Sequence, residues 1–198
     1  MPFLQKAKRR FLHPKGENPD ENFGKPHLIH RDWQESDAED VFAFAQNPEV
    51  EQAGWPIHRG ISDSIWYIRI SQESQETWAA ALREDNRAIG AISLSDIHRN
   101  DRYREIEYVI SGAYGNRGYA TEAVRRVLDY AFGALYLAVV AVCHYPENVR
   151  SRRVIEKCGF TYEGTLRGYS WNFSDSVRYS MTREEWTQES RFEAGEKI

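Results

Sequence analysis

The segment Tyr114-Gly115-Asn116-Arg117-Gly118-Tyr119-Ala120-Thr121-Glu122-Ala123 joins a strand pattern, Tyr103 to Ile110, to a helical run that begins near Ala120. Gly112, Gly115 and Gly118 crowd the turn, and no aspartate or glutamate lies between Gly112 and Tyr119. The first helical turn therefore offers N–H donors that no acid of the loop occupies, and the helix dipole adds to their pull on an anion. The chemistry this suggests is phosphate binding. Two well-known phosphate loops are excluded. There is no Gly-Lys-Ser or Gly-Lys-Thr, and GxxGxxG after several strands is not the dinucleotide fingerprint. Taken alone, the glycines are equally well explained by turn geometry.

Other residues could join such a site. Glu105 and Glu107 share one face of a strand by period two, so they either line a cleft as proton relays or sit in solvent. Asn148 and Ser151 open a helix, where capping is their ordinary work. His144 ends an apolar strand and titrates in a useful range, but a structural histidine fits that place as well. His27 and His30 point to opposite faces of a strand, so no metal site is expected. Cys143 and Cys158 read as small core hydrophobes.

The elements that must position these residues follow from periodicity. A strand at His27–Trp33 leads to a helix capped by Ser36 and Asp37 and ended by Asn47-Pro48. Ser62 and Asp63 cap a second helix. Trp78–Arg83 and Ala88–Ile97 form an antiparallel hairpin, and Tyr103–Ile110 follows. A helix over Ala120–Phe132 buries Val124, Val127 and Leu128. Leu135–Cys143 is a fully apolar central strand. Asn148–Cys158 is a helix closed by Gly159, and Phe160–Leu166 and Val177–Met181 are the last strands. The order β-α-α-β-β-β-α-β-α-β-β implies an α+β domain on one mixed, mostly antiparallel central sheet flanked by helices. Tyr103–Ile110 and Leu135–Cys143 would be neighbours joined by a crossover that the glycine turn opens. Residues 1–26 read as a tail, 27–188 as the domain and 189–198 as a second tail.

Composition limits the partners. The 198-residue chain has net charge −4, which argues against a nucleic-acid binder. Two cysteines make no disulfide framework, no apolar run reaches the ~18 residues of a membrane helix, and no secretory signal is visible, so a cytoplasmic location is expected.

Arg117-Gly118-Tyr119-Ala120-Thr121-Glu122-Ala123 resembles the acetyl-CoA loop of the GCN5-related N-acetyltransferases. The run Asn148 to Phe160, with Glu163-Gly164, Leu166-Arg167, Asp175 and Tyr179-Ser180-Met181, resembles the branch that holds the ribosomal-protein N-terminal acetyltransferases. The likeness covers about Leu28 to Trp186. It implies a single domain of that family's fold and direct transfer of an acetyl group from acetyl-CoA to an amine. The acceptor would be a protein N-terminus or a small-molecule amine. By the same resemblance, the amides of Gly115, Asn116, Arg117, Gly118, Tyr119 and Ala120 would hold the pyrophosphate. Val109, Ile110 and Ser111 would pair with the pantetheine, and Asn148 would bond it or cap its helix. Ser151 would meet the leaving thiolate, with Glu105 or Glu107 as the base. His58 would border the acceptor; apart from the resemblance, Trp55 as an aromatic and His144 by its place at a strand end are further candidates for acceptor contacts. The family often has Gln or Arg where Gly115 stands, and the relatives' carboxylate after Glu-Gly is absent from Gly168-Tyr169-Ser170-Trp171. A homodimer is common among such enzymes. The contrasting reading is a non-catalytic acyl-CoA-binding or regulatory domain.

Overall fold

The computed structural model describes residues 26–74, 76–96 and 102–193, with side chains as far as Gln188. The N-terminal tail expected from composition falls almost wholly outside the described residues. Seven strands form one sheet: Leu28–Arg31 (β1), Thr77–Leu82 (β2), Ala88–Ser95 (β3), Tyr103–Ile110 (β4), Val139–His144 (β5), Thr161–Leu166 (β6) and Ser176–Thr182 (β7). Their order is β1-β2-β3-β4-β5-β7-β6. Each neighbouring pair is antiparallel except β4 and β5, which run parallel. The helices are Ala38–Ala45 (α1), Ile61–Glu73 (α2), Tyr119–Asp129 (α3), Val149–Lys157 (α4) and Arg183–Glu193 (α5). The α+β fold expected from the sequence is therefore present.

Local chemistry starts the helices, though not always through the expected caps. Asp37 takes a bidentate pair from buried Arg31, both contacts at 2.8 Å, and accepts Gln34 N–H; Ser36 is not the cap. Gly60 precedes α2, and Asp63 reaches back to accept Arg59 N–H at 2.8 Å. Asn148 does cap α4, its Oδ1 accepting Ser151 N–H at 3.0 Å.

Two elements differ from expectation. The apolar stretch from Leu135 to Ala138 is not strand. The helix after Asp129 widens into a π turn through Ala134, Tyr136 takes a positive φ of 56°, and β5 begins only at Val139. Leu137 N–H bonds back to Ala131 O at 3.0 Å, so Leu137 is buried under the helix end, a use of apolar residues that periodicity cannot distinguish from strand. Helix α5 is an addition to the expected order, and it runs into the stretch read as a C-terminal tail. It has little apolar stripe beyond Trp186, which packs on Phe132. Its start was legible nonetheless: Thr182-Arg183-Glu184-Glu185 is a capping box. Glu185 accepts from Thr182 N–H at 2.6 Å, and Thr182 Oγ1 accepts from Glu185 N–H at 3.2 Å.

The core has two layers. On one face of the sheet α3 and α4 cover Ile92, Ile106, Val140 and Val142 with Val124, Leu128 and Ile155. On the other, Val41, Phe44 and Ile68 of α1 and α2 cover Ala79, Ala91 and Val109. Gly90 permits the tight approach of β3 to β4, because a Cβ there would lie 2.2 Å from Val109 O. The parallel ladder joins Tyr103–Ile106 to Val139–Val142 and stops. Strand β4 runs on to Ile110 held by β3 alone, so a gap opens in the sheet between Glu107–Ile110 and the end of β5.

Candidate active site

The gap leads into a cavity of about 850 Å³. Its donor wall is built largely from backbone. The N–H groups of Tyr114 and Gly115 turn back on Ser111 O and Gly112 O at 2.9 and 3.0 Å. Gly115 therefore drops out of the expected amide cradle. Gly118, at φ +85°, turns the chain into α3, a conformation that favours glycine. The N–H groups from Asn116 to Ala120 then carry no protein acceptor among the described residues. Glu122, the acid of the first helical turn, is drawn away from the cavity, because its carboxylate accepts Leu28 N–H at 2.7 Å. Arg117 is not on the cavity wall; its guanidinium lies over the Tyr114 ring, 5.7 Å from the centroid.

The exposed edge of β4 can be assigned atom by atom. Ser111 N–H bonds Ile89 O at 2.8 Å, on the β3 side. Strand alternation turns the N–H and C=O of Tyr108 and Ile110 the other way, into the gap. Of the expected pairing residues Val109, Ile110 and Ser111, only Ile110 offers its backbone there; Tyr108 is the residue missed. Its side chain matters too. Tyr108 Oη lies 2.9 Å from Ser151 Oγ.

Helix α4 closes this wall with Ser151 and Asn148. The Asn148 amide braces the helix start, since one Nδ2 proton goes to Gln52 O at 2.6 Å while Oδ1 caps the helix, and its second Nδ2 proton remains for a ligand. Arg150, Arg153 and Lys157, three to four residues apart, also line the cavity. Sequence reading missed them, although that spacing puts them along one helical edge. Arg150 pairs with Glu49 at 3.2 Å, and the Glu49 carboxylate stands beside Gly112.

The opposite wall is made of side chains on the other face of the sheet. Glu105 is only 6% exposed, so the solvent reading is excluded for it. Burial pushes its carboxyl up to about 6, and the Glu107 charge adds to this; hydrogen bonds from Cys143 and Tyr169 oppose it. Tyr169 Oη donates to Glu105 at 3.4 Å. Arg178 stands 3.9 Å away, within ion-pair reach, and sits closer to Glu163, at 3.2 Å, so its charge is shared between the two carboxylates. Glu107 is exposed, lines the cavity, and accepts from Ser95 at 2.8 Å. Cys143 is half-buried on this wall and not in the core as expected, and burial beside Glu105 keeps its thiol protonated.

The three expected acceptor contacts separate. His144 lines the cavity, and its Nδ1 donates to Tyr145 O at 2.6 Å. His58 does not line the cavity. It is buried against Ser64 Oγ at 2.9 Å, and burial lowers its pKa. Trp55 packs on Tyr67 and Phe44, likewise off the cavity. Tyr169, Ser170 and Trp171 stand in their place on the wall. No group of metal-ligating side chains occurs among the described residues, and no described helix is long and apolar enough to cross a membrane.

An open sheet gap, a bare helix start and a buried carboxylate across the gap define an acyltransferase of the thioester-using kind. Residues 27–161 match the acetyltransferase (GNAT) domain family, and the chain belongs to it. It is an N-acetyltransferase, and acetyl-CoA is its co-substrate. The chain is similar to the uncharacterized N-acetyltransferase YnaD of Bacillus subtilis (strain 168), with 33% identity over 80% of this chain and 95% of YnaD. Among solved structures, a spermidine N-acetyltransferase from Vibrio cholerae, in complex with CoA and spermine, superimposes with a TM-score of 0.69 at 19% identity, over 82% of this chain and 99% of that one. A ribosomal-protein-S5-alanine acetyltransferase from Vibrio fischeri does so with a TM-score of 0.65 at 21% identity, over 84% and 99%. These two likenesses are of fold.

Proposed function

We propose that the chain moves the acetyl group of acetyl-CoA to a primary amine by direct attack in a ternary complex held across the sheet gap. One observation carries this reading. Glu105 and Ser151 belong to opposite faces of the sheet and line the same cavity. A carbonyl in the gap can then receive an amine from one side and release a thiolate on the other.

The chemistry follows from the residues. The amides of Asn116, Gly118, Tyr119 and Ala120 receive the diphosphate, and the free edge of β4 receives the pantetheine amides. An amine of pKa ~10 is mostly charged at neutral pH and must lose a proton before it attacks. With its carboxyl near 6, Glu105 is ionised at pH 7 and is the base, directly or through one water. The nitrogen lone pair bonds the carbonyl carbon, and the oxyanion that forms is met by the Ile110 N–H. Its collapse expels the CoA sulfur with the C–S bonding pair, Ser151 O–H donates to that sulfur, and the surplus proton on the new amide nitrogen passes to solvent. The location proposed for the reaction is the cytoplasm.

A panel of alanine- and serine-initiated peptides and polyamines, incubated with acetyl-CoA and assayed for free thiol, tests the reading. Turnover with peptides assigns a protein N-terminus, and turnover with polyamines a small amine. CoA binding without thiol release from any amine would return the chain to a binding module.

A further inference from the structure

Ser151 does not act with an isolated hydroxyl. Tyr108 reaches from β4 so that its Oη lies 2.9 Å from Ser151 Oγ and 3.3 Å from Ser151 O. The Ser151 backbone is pinned, since Asn148 holds its N–H at 3.0 Å and is itself anchored to Gln52 O. Each hydroxyl has one proton, so the phenol can donate to the carbonyl or to Oγ but not fully to both.

Two arrangements result. When the phenol donates to Ser151 O, the serine proton is free to point back at the phenol oxygen, and the pair is closed on itself. When the phenol donates to Ser151 Oγ, the serine proton is released toward the cavity. A thioester sulfur is a weak acceptor and a thiolate a strong one, so the second arrangement gains only as the C–S bond breaks. Burial disfavours the phenolate, so the phenol keeps its proton in both.

We infer that Tyr108 and Ser151 form a two-state hydrogen-bond switch, in which Tyr108 moves its donation from the Ser151 carbonyl to the Ser151 hydroxyl and so aims that hydroxyl at the departing CoA sulfur. Tyr108 is thus a positioning residue. No proton changes owner within the pair; the thiolate leaves with its electron pair, is hydrogen-bonded by Ser151, and takes its proton from solvent. The inference rests on the reading of Ser151 given above.

A double-mutant cycle separates the two claims. Wild type, Ser151→Ala, Tyr108→Phe and the double variant are compared in single-turnover acetyl transfer with acetyl-CoA and the fastest amine among the alanyl peptide and spermidine. Calorimetric CoA affinity and thermal midpoint are measured alongside. Ser151→Ala is expected to slow transfer about 100-fold, at the low end of the range for one anion-stabilising donor. Tyr108→Phe should slow it about 10-fold in the wild-type background and less than about 2-fold in the Ser151→Ala background, with CoA affinity unchanged. A tenfold loss from Tyr108→Phe in both backgrounds would mark a packing role and overturn the switch. Normal rates for Tyr108→Phe beside a slow Ser151→Ala would overturn it as well, leaving the serine reading intact. Normal rates for Ser151→Ala would remove both.

Discussion

The two walls of the cavity hold their charges differently. On the donor side, the proposed anion binding rests on main-chain N–H groups at the start of α3, with Arg150, Arg153 and Lys157 along α4 as exposed supplements. On the acceptor side, the proposed base is one carboxylate, Glu105, whose state is set by burial and by Cys143, Glu107 and Tyr169 around it. Backbone donors carry no pKa and cannot be lost by protonation or by most side-chain changes. A buried carboxylate is tunable, which suits proton transfer, but it is strained by desolvation. On the proposed reading the contrast divides labour: the rigid wall would bind and the titratable wall would react.

The most severe way to break this contrast is at Gly118. A Cβ there meets nothing within 4 Å, so sterics are not the obstacle. The φ of +85° and the diphosphate proposed to lie beside it are. Gly118→Asp should weaken CoA at least about 100-fold by calorimetry, chiefly through direct repulsion, since aspartate like asparagine enters that backbone. Gly118→Asn, which tolerates that backbone and adds no charge, should lose only a few-fold. Equal losses would show that backbone shape, not charge, dominates.

At Glu105 the opposite wall is tested. Glu105→Gln should lower kcat about 100-fold and leave CoA affinity unchanged. In wild type, kcat/KM should fall as pH drops below about 6, because the base is then protonated, and this acid limb should be missing in the variant. The stability sign is the reverse. A carboxyl raised from 4.5 to about 6 by folding contributes stability below pH 4.5 that is lost as pH rises through 6. At pH 8 the ionised group costs about 2 kcal/mol, so Glu105→Gln should raise the thermal midpoint while slowing the enzyme. A lower midpoint would contradict the desolvated carboxylate.

Smaller effects sharpen the donor side. Lys157→Glu should weaken CoA about 3- to 10-fold in low salt, with the difference shrinking at high salt, as expected of an exposed charge. Affinity independent of salt would place the phosphates away from α4. Smallest of all, Glu49→Gln should strengthen CoA about 2-fold, since it removes a carboxylate beside Gly112 and releases Arg150. Weaker binding instead would make Glu49 a positioner of Arg150.

How much of this could be read in advance follows the same division. The glycine turn, the Asn148 cap and Gly159 were legible because each depends on neighbours a few residues away. Helix α5 could have been read from Thr182 and Glu185 by the same local logic. The limits of β5 could not, because Leu137 buries equally well in a strand or under a helix end. Nor could the fate of His58 and Trp55, which turn into the α1–α2 layer instead of the cavity.

The amino-acid order by itself determined the succession of elements as far as β7 and the bare helix start after Gly118, since these rest on periodicity and short-range backbone chemistry; Ser151 and Glu105 were nominated through the resemblance of its motifs to a family. Only the tertiary structure decided that the β4–β5 ladder stops at Ile106, that Tyr108 meets Ser151 from 43 residues away, and that Glu105 is buried beside Cys143. Those facts arise from strand pairing and desolvation between distant segments, which no local pattern encodes.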